Sequence, residues 1–198
     1  MNRSVAVVVA SSCLAASLHA QTPAVVRVLP AEKQVAAAVL PLPAEQRAGA
    51  TVLGYDARNQ LVRLRAGPGS FTCLADDPRD DRFHVACYHN ALEPFMARGR
   101  ELRARGVQGD AVDSVRNADV AAGRVPMPAV ASLYSLTGPA GSYNAETGAV
   151  SGARPLFVVY VPGATEASSG ISATPRPGAP WLMHPGTPKA HIMFQGTM

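Results

Sequence analysis

Two histidines near the C-terminus, His184 and His191, flank a Pro- and Gly-containing turn and have the type and spacing of metal ligands. If residues 185–188 form a hairpin loop, His191 lies opposite Leu182. The alternation of side chains along a strand then places both histidines and Met193 on one face. Imidazole and thioether ligands together favour copper, whereas imidazole and carboxylate ligands suit zinc or iron. The pattern predicts a site for copper or zinc, and the competing interpretation is a solvated hairpin.

His84 is a second candidate for chemistry, because it lies beside a cluster of aspartates. It belongs to a predicted strand, residues 82–88, that follows an acidic turn at residues 76–81. An aspartate of this turn, with Asp81 the leading candidate, would orient the imidazole so that it acts as a general base. Two other interpretations are a calcium site formed by the aspartates of the turn and a solvated turn whose carboxylates pair with neighbouring arginines.

The commonest catalytic signatures are missing from the chain. It contains no G-x-S-x-G elbow, no G-x-x-x-x-G-K-[ST] phosphate loop, no H-E-x-x-H zinc motif and no C-x-x-C-H haem motif. A hydrolase or an oxidoreductase would therefore rely on His84, or on His184 together with His191. Whether the protein is an enzyme stays open on the sequence alone.

Three further side chains are candidates for contact with a ligand or a partner protein. Arg82 and Tyr88 share the polar face of the predicted strand with His84, because side chains two positions apart point the same way. Trp181, the single tryptophan, interrupts a Pro- and Gly-rich stretch and would pin that stretch to the domain.

Two amphipathic helices are predicted in the middle of the chain, at residues 90–105 and 110–122. Asn90 followed three residues later by Glu93 is the pattern of a capping box at the start of the first helix. The positions expected to face the core in the two helices are Phe95, Gly99, Leu102, Val112, Val115 and Val120.

Four arginines lie on the first of these helices. A rotation of about 100° per residue places Arg98 beside Arg105. The same rotation places Arg100 beside Arg103 on another side of the helix. The grouping indicates either an anionic partner, including a membrane surface, or a solvated helix face.

Residues 1–20 have the organisation of a secretory signal peptide. Arg3 supplies the positive charge, an uncharged run of apolar and small residues follows, and Ala20 is a suitable cleavage residue. Cleavage would leave residues 21–198 as one extracytoplasmic domain, periplasmic or secreted, with no transmembrane span. The alternative is a lipoprotein anchored through Cys13.

Removal of the signal peptide leaves two cysteines, Cys73 and Cys87. An even number of cysteines in an oxidising compartment predicts a disulfide. This disulfide would close a loop of about 15 residues and stabilise the fold by ~3 kcal/mol in the chain-entropy model. The rival interpretation pairs Cys87 with His84 or His89 as metal ligands or as a nucleophile and base.

The composition indicates a globular protein and argues against one class of partner. The chain has 198 residues, of which 47% are hydrophobic, and this is enough for one domain with a buried core. The net charge of +4 is mild and no basic stripe is present, so no nucleic-acid partner is expected. The preference for arginine over lysine is typical of a GC-rich bacterial genome.

The order of the predicted elements indicates an α+β fold. Besides the two helices above, a short helix is predicted at residues 31–40. Strands are predicted at residues 51–55, 61–65, 71–74, 82–88, 129–137, 156–161 and 190–194. We expect a mainly antiparallel sheet of about five to seven strands with two or three helices on one side. Residues 162–188, rich in proline and glycine, are expected to form a long irregular segment.

An exported binding module is the leading functional hypothesis, with a small ligand, a metal ion or a cell-envelope partner as the bound species. It rests on the mild charge and on the missing catalytic signatures. The second hypothesis is a metal-dependent or histidine-based enzyme. The third is a structural or assembly protein that docks through residues 162–188, because long loops in compact domains are usually functional or disordered.

Overall fold

The computed structural model describes residues 28–196. The predicted signal peptide, residues 1–20, and its Cys13 lie outside the described residues. The strands within them are β1 (Thr51–Tyr55), β2 (Leu61–Arg65), β3 (Phe71–Leu74), β4 (Arg82–His89), β5 (Ala131–Pro139), β6 (Arg154–Tyr160), β7 (Trp181–Met183) and β8 (His191–Gln195). The α-helices of the same part of the chain are α1 (Ala31–Ala38), α2 (Ala44–Arg47), α3 (Glu93–Ala104), α4 (Asp110–Ala121) and α5 (Glu166–Ser169). None of these helices has the length and apolar character needed to cross a membrane.

The strands form one mixed sheet in the order β2-β1-β3-β4-β5-β6-β8-β7. All neighbouring strands are antiparallel except β1 and β3, which are parallel because the chain returns through β2 between them. The predicted α+β class is confirmed. The predicted number of strands was too low, since the sheet has eight strands. Strand β7 was considered only as one arm of the supposed C-terminal hairpin, because three residues are too few to show an alternating pattern by themselves.

Helices cover both faces of the sheet, so the prediction of helices on one side was wrong. Helix α1 packs on the face that carries Cys73 and Cys87, with Ala38 in the same buried cluster. Tyr88 follows Cys87 on β4 and therefore points to the opposite face. There it is buried with Phe95 of α3. Because consecutive residues of β4 are buried on opposite faces, each face requires its own helical cover.

The start of α3 differs from the capping box predicted at Asn90. Residues Asn90–Leu92 form a single 3-10 turn, and the α-helix begins after it. The side chain of Asn90 is engaged elsewhere. It accepts a hydrogen bond from Thr72 Oγ1 at 2.8 Å and donates one to the backbone oxygen of Gly69 at 3.0 Å. A side chain used in this way cannot cap the helix.

The Pro- and Gly-rich segment at residues 162–188 contains α5 and β7, so it is not irregular throughout. Its two ends are joined by backbone hydrogen bonds. The amide of Gly163 donates to the oxygen of Thr187, and the amide of Gly186 donates to the oxygen of Ala164. The two ends of the segment therefore lie side by side. Docking of a partner protein through residues 162–188 stays a prediction.

Cys73 and Cys87 lie at disulfide distance, with their sulfur atoms 2.07 Å apart. The two residues are opposite each other on β3 and β4, and both are fully buried. The predicted pairing of these cysteines is confirmed. The disulfide lies beneath α1 and joins two strands in the middle of the sheet.

Candidate anion-binding cleft

A cleft opens between α3 and the sheet face that carries Tyr88. It consists of two adjoining cavities of about 260 Å³ and 480 Å³, which share Leu74, Arg100 and Arg103 as walls. We call the smaller cavity the arginine cleft. Its lining includes four cationic side chains, those of Arg100, Arg103, Arg116 and Lys189. Such a concentration of positive charge in a concave surface indicates a site for a ligand.

Arg116 is the most deeply buried of the four cations, with 5% of its surface exposed. Its guanidinium carbon lies 4.1 Å from the centre of the Phe95 ring, an arrangement that stabilises a desolvated cation. Gly99 of α3 makes room for the guanidinium, because a Cβ atom there would lie 3.0 Å from Arg116 Nη1. Gly99, which the sequence analysis placed in the apolar stripe of α3, therefore leaves space for the buried Arg116 side chain.

The buried side of α4 differs from the predicted one. Val112 is buried as expected, but Arg116 and Asp119 are buried with it, whereas Val115 and Val120 are only partly buried. The reason is that both charged residues find partners on α3. A hydropathy pattern places charged residues on the solvent side, so it could not predict this orientation.

Asp113 of α4 binds two of the four cations at once. Its Oδ2 accepts a hydrogen bond from Lys189 Nζ at 2.6 Å, and its Oδ1 accepts one from Arg116 Nη2. Burial by itself would raise the pKa of Asp113, but these hydrogen bonds outweigh it and lower the pKa below its ordinary value. One negative charge is therefore shared between two positive charges, and it links α4 to the chain just before β8.

Arg100 is held in the cleft by Tyr88 and Glu93. Its Nη1 donates to Tyr88 Oη at 2.8 Å, and its Nη2 donates to Glu93 Oε1 at 2.5 Å. The Tyr88 hydroxyl in turn donates to Glu93. Burial, and then the hydrogen bond to Glu93, raise the pKa of Tyr88 far above its ordinary value. The hydroxyl therefore stays protonated, and the three side chains form a fixed wall.

Arg103 lies at the mouth of the cleft, where it is exposed, and it has no hydrogen-bond acceptor within residues 28–196. Its Nη1 approaches Gly99 from the side that Arg116 also occupies, so the two guanidinium groups are neighbours. Burial, and then the positive charge of Arg116, lower the pKa of Arg103 below its ordinary value. The Nε atom of Arg116 is also buried without a partner in the described part of the chain. The cleft thus sets four cations against two bonded carboxylates, those of Asp113 and Glu93.

The structure brings together several residues that the sequence had indicated separately. Arg100 and Arg103 share one side of α3 as predicted, and Tyr88, a predicted contact residue, lines the same cleft. Arg116 and Lys189 were missed. Asp113 and Arg116 are three residues apart on a helix, and this spacing is a local pattern that indicates their ion pair. Asp113 and Lys189 are 76 positions apart, so no local pattern indicates that contact.

His84 lies on the same sheet face but is not among the residues that line the arginine cleft. Its Nδ1 is 2.7 Å from Thr137 Oγ1, and its backbone N–H donates to Asp76 Oδ1 at 2.7 Å. Asp81 and Arg82 are exposed. The aspartate that contacts His84 is therefore Asp76 and not the predicted Asp81. Asp76 binds the backbone N–H of His84 and not its imidazole ring. A catalytic role for His84 stays a prediction.

Replacing Asp76 with asparagine is expected to raise the free energy of unfolding at neutral pH by ~1 kcal/mol after allowance for partial solvent screening. Burial is the main cause that raises the pKa of Asp76 to about 6. The hydrogen bond from His84 lowers this pKa, and the negative charges of two neighbouring aspartates raise it further. The folded state therefore prefers the neutral carboxyl, which asparagine resembles. Ionisation of Asp76 costs stability above the folded pKa and costs nothing below the unfolded value of 3.8.

Urea denaturation of Asp76→Asn and of wild type, repeated between ~pH 3 and ~pH 8, measures this difference. The gain in stability should shrink as the pH falls and should vanish below ~pH 4. Asp81→Asn changes an exposed carboxyl of the same turn and is the matched control. A gain that does not depend on pH would contradict the explanation.

His184 and His191 lie close together, although not through the predicted register. Leu182 lies opposite Ile192, and Met183 lies opposite His191, which is a shift of one residue from the expected pairing. The two imidazole rings are neighbours because His184 lies in the turn that directly follows β7. Their centroids are 5.6 Å apart.

Met193 and Trp181 face each other on β8 and β7. Met193 packs against the buried cluster that contains Val158 and Tyr160, and Trp181 is partly buried. Neither side chain lines the arginine cleft. A role for Met193 as a metal ligand and a role for Trp181 in partner contact stay predictions.

A scan of the chain against protein-family models, a search of curated proteins and a search of solved structures each found no match. The arginine cleft therefore has to be interpreted from its own geometry and charge. Its dominant property is positive charge that the bonded carboxylates of the described chain only partly neutralise.

Proposed function

We propose that the protein is an exported binding module that holds a small anionic ligand in the arginine cleft. The ligand would carry a carboxylate, phosphate or sulfate group. The observation that carries the proposal is Arg116, which is 5% exposed and whose Nε has no partner within residues 28–196. Asp113 is bonded to both Arg116 and Lys189, so one carboxylate compensates two positive charges, and a ligand anion would compensate the remaining one.

The neighbours of Arg116 support an anion as the bound species. Arg103 is without an acceptor in the described chain, and its planar N–H groups match the two oxygens of a carboxylate or phosphate. The aromatic and apolar walls, Tyr88, Tyr160, Met96 and Leu133, suit the body of an organic ligand.

Binding is favoured over catalysis by the chemistry of the walls. No serine, cysteine or histidine is among the described residues that line either cavity. The Tyr88 hydroxyl stays protonated and is bonded to Glu93 and Arg100, so it is a fixed donor and not a nucleophile. Fixed cations without an adjacent nucleophile and base fit a site that holds a ligand.

Export is part of the proposal. The organisation of residues 1–20 supports a secretory signal peptide. The disulfide-distance pair of Cys73 and Cys87 supports an oxidising compartment, because such bonds persist outside the cytosol. A binding module in that compartment, periplasmic or secreted, would meet its ligand outside the cytoplasm.

Replacing Arg103 with alanine is expected to weaken anion binding by at least ~10-fold. A hydrogen bond from a charged group contributes ~1.5–3 kcal/mol, and each 1.4 kcal/mol corresponds to about tenfold in affinity. The melting temperature should not fall, since Arg103 has no ion pair in residues 28–196 to lose. Calorimetric titration of the exported protein with phosphate, sulfate and citrate measures the effect, at low ionic strength because salt screens these charges.

Arg105→Ala is the matched control for this experiment. Arg105 is at the end of the same helix and is exposed as Arg103 is, but its guanidinium is bound to Glu101 and it does not line the cleft. This variant should bind each anion as the wild type does. The proposal is refuted if the wild type binds none of the three anions, or if the two alanine variants lose affinity equally.

A further inference from the structure

Two histidine rings meet outside the arginine cleft, at the turn between β7 and β8. The ring centroids of His184 and His191 are 5.6 Å apart, and the ring planes are inclined by 44°. A zinc or copper ion bound to one nitrogen of each ring at ~2.1 Å would place the two centroids ~5–6 Å apart. The observed separation of 5.6 Å lies within this range.

The surroundings of His191 determine which of its nitrogens is free. Its Nδ1 lies 2.7 Å from the backbone oxygen of Lys189. Since a carbonyl oxygen only accepts hydrogen bonds, Nδ1 carries the proton and Nε2 keeps its lone pair. Histidines that bind metals are usually held in this way, with the second nitrogen donating to a carbonyl or carboxylate. The ring also lies against Tyr160, with 5.1 Å between centroids, so its orientation is fixed.

His184 is brought to His191 by a left-handed backbone conformation, which is uncommon for residues other than glycine. Its φ is +52°, in the left-handed region where a side chain is strained. The turn is held by Thr187, whose hydroxyl donates to the backbone oxygen of His184 at 2.8 Å. Strained residues persist where the surrounding structure holds them, and they are concentrated at binding sites.

The charges around the pair permit a cation to bind. The ammonium group of Lys189 is nearby, but it is bound to Asp113 at 2.6 Å, which offsets its charge. Within residues 28–196, no group of three or more His, Cys, Asp or Glu side chains is arranged to hold a metal. Water would therefore complete the coordination.

We propose that His184 and His191 together bind one divalent transition-metal ion, zinc or copper, through one ring nitrogen each. Both metals accept imidazole nitrogen, and separate titrations distinguish them. The two sites have Lys189 as a common neighbour, but neither histidine lines the arginine cleft, so the metal and the anion would have different ligands. Failure of one proposal therefore leaves the other standing.

Calorimetric titration of tag-free, chelator-treated exported protein with Zn²⁺, and separately with Cu²⁺, tests the site. We expect one metal ion per chain. His184→Ala and His191→Gln should each weaken binding by at least ~10-fold, since each removes one of two protein ligands. With Cu²⁺, the paramagnetic resonance spectrum of the wild type should show coupling to two nitrogens, and that of each variant to one.

His184→Gly separates loss of the ligand from loss of the fold. Glycine adopts a positive φ without steric cost, so this variant should melt at a higher temperature than the wild type when no metal is present. The wild type should gain stability when metal is added, because binding to the folded state stabilises it, and the variant should not. The two measurements change in opposite directions, which a damaged fold would not produce.

His89→Gln is the matched control, because the His89 ring accepts a hydrogen bond from the Ala91 amide and lies on another strand. It should bind metal as the wild type does. The proposal is overturned if the wild type takes up neither metal. It is also overturned if His184→Gly keeps the affinity of the wild type.

Discussion

Replacing Asp113 with asparagine is expected to lower the free energy of unfolding by ~3 kcal/mol and, at the same time, to strengthen anion binding. Asp113 accepts hydrogen bonds from both Arg116 and Lys189. Arg116 is 5% exposed, so without this carboxylate its charge is buried and uncompensated. Removal of one partner from a buried ion pair is among the most destabilising single substitutions.

The two effects have opposite signs because Asp113 competes with the ligand for the same cations. In the Asp113→Asn variant, Arg116 and Lys189 keep their charges and become available to a bound anion. A ligand present at ~100 times its Kd would restore ~2.7 kcal/mol of the lost stability. Urea denaturation with and without phosphate measures both changes. Lower stability without any gain in affinity would show that the anion does not bind beside Arg116.

Asp110→Asn is the matched control, since Asp110 lies in the same first turn of α4 and is exposed. It should lose only its favourable interaction with the helix dipole, ~0.3–1 kcal/mol. The effect of Asp113→Asn should also depend on pH. Because the pKa of Asp113 is lowered in the folded state, its contribution is present above ~pH 4 and is lost as the pH falls through the folded pKa.

Replacing both Cys73 and Cys87 with alanine is expected to lower the free energy of unfolding by ~3 kcal/mol. This corresponds to a fall of roughly 6–12 °C in the melting temperature for a protein of this size. The two cysteines are 14 positions apart, so the bond restricts a loop of the unfolded chain. Both are fully buried beneath α1, so the truncated side chains also leave space in the core.

Wild-type protein that has been unfolded and refolded in reductant should match the double alanine variant closely. Equal stability of that variant and of the oxidised wild type would contradict the prediction. The disulfide lies beneath α1, whereas Asp113 is on α4 on the other side of the sheet. The losses caused by the two sets of substitutions are therefore expected to add, as is usual for distant sites.

Local patterns predicted most elements closely. The hairpin strands at 51–55 and 61–65 and the strand at 71–74 have the bounds that the alternation and the turn residues predicted, because such signals involve only near neighbours. The register of the C-terminal hairpin was wrong by one residue. It depends on the left-handed turn at His184, and nothing in the local pattern indicates that a histidine takes this conformation.

The sequence by itself determined the α+β class, the pairing of the two cysteines, and the shared side of α3 that carries Arg100 and Arg103. These follow from counting and from short-range periodicity. Only the tertiary structure decided that the two arginines meet Arg116 and Lys189 in one cleft, since Lys189 is bonded to a residue 76 positions away. Contacts between residues so far apart in the chain depend on how α3 and α4 pack against each other and against the sheet. That packing is set by the shapes of many side chains at once, which no periodicity encodes.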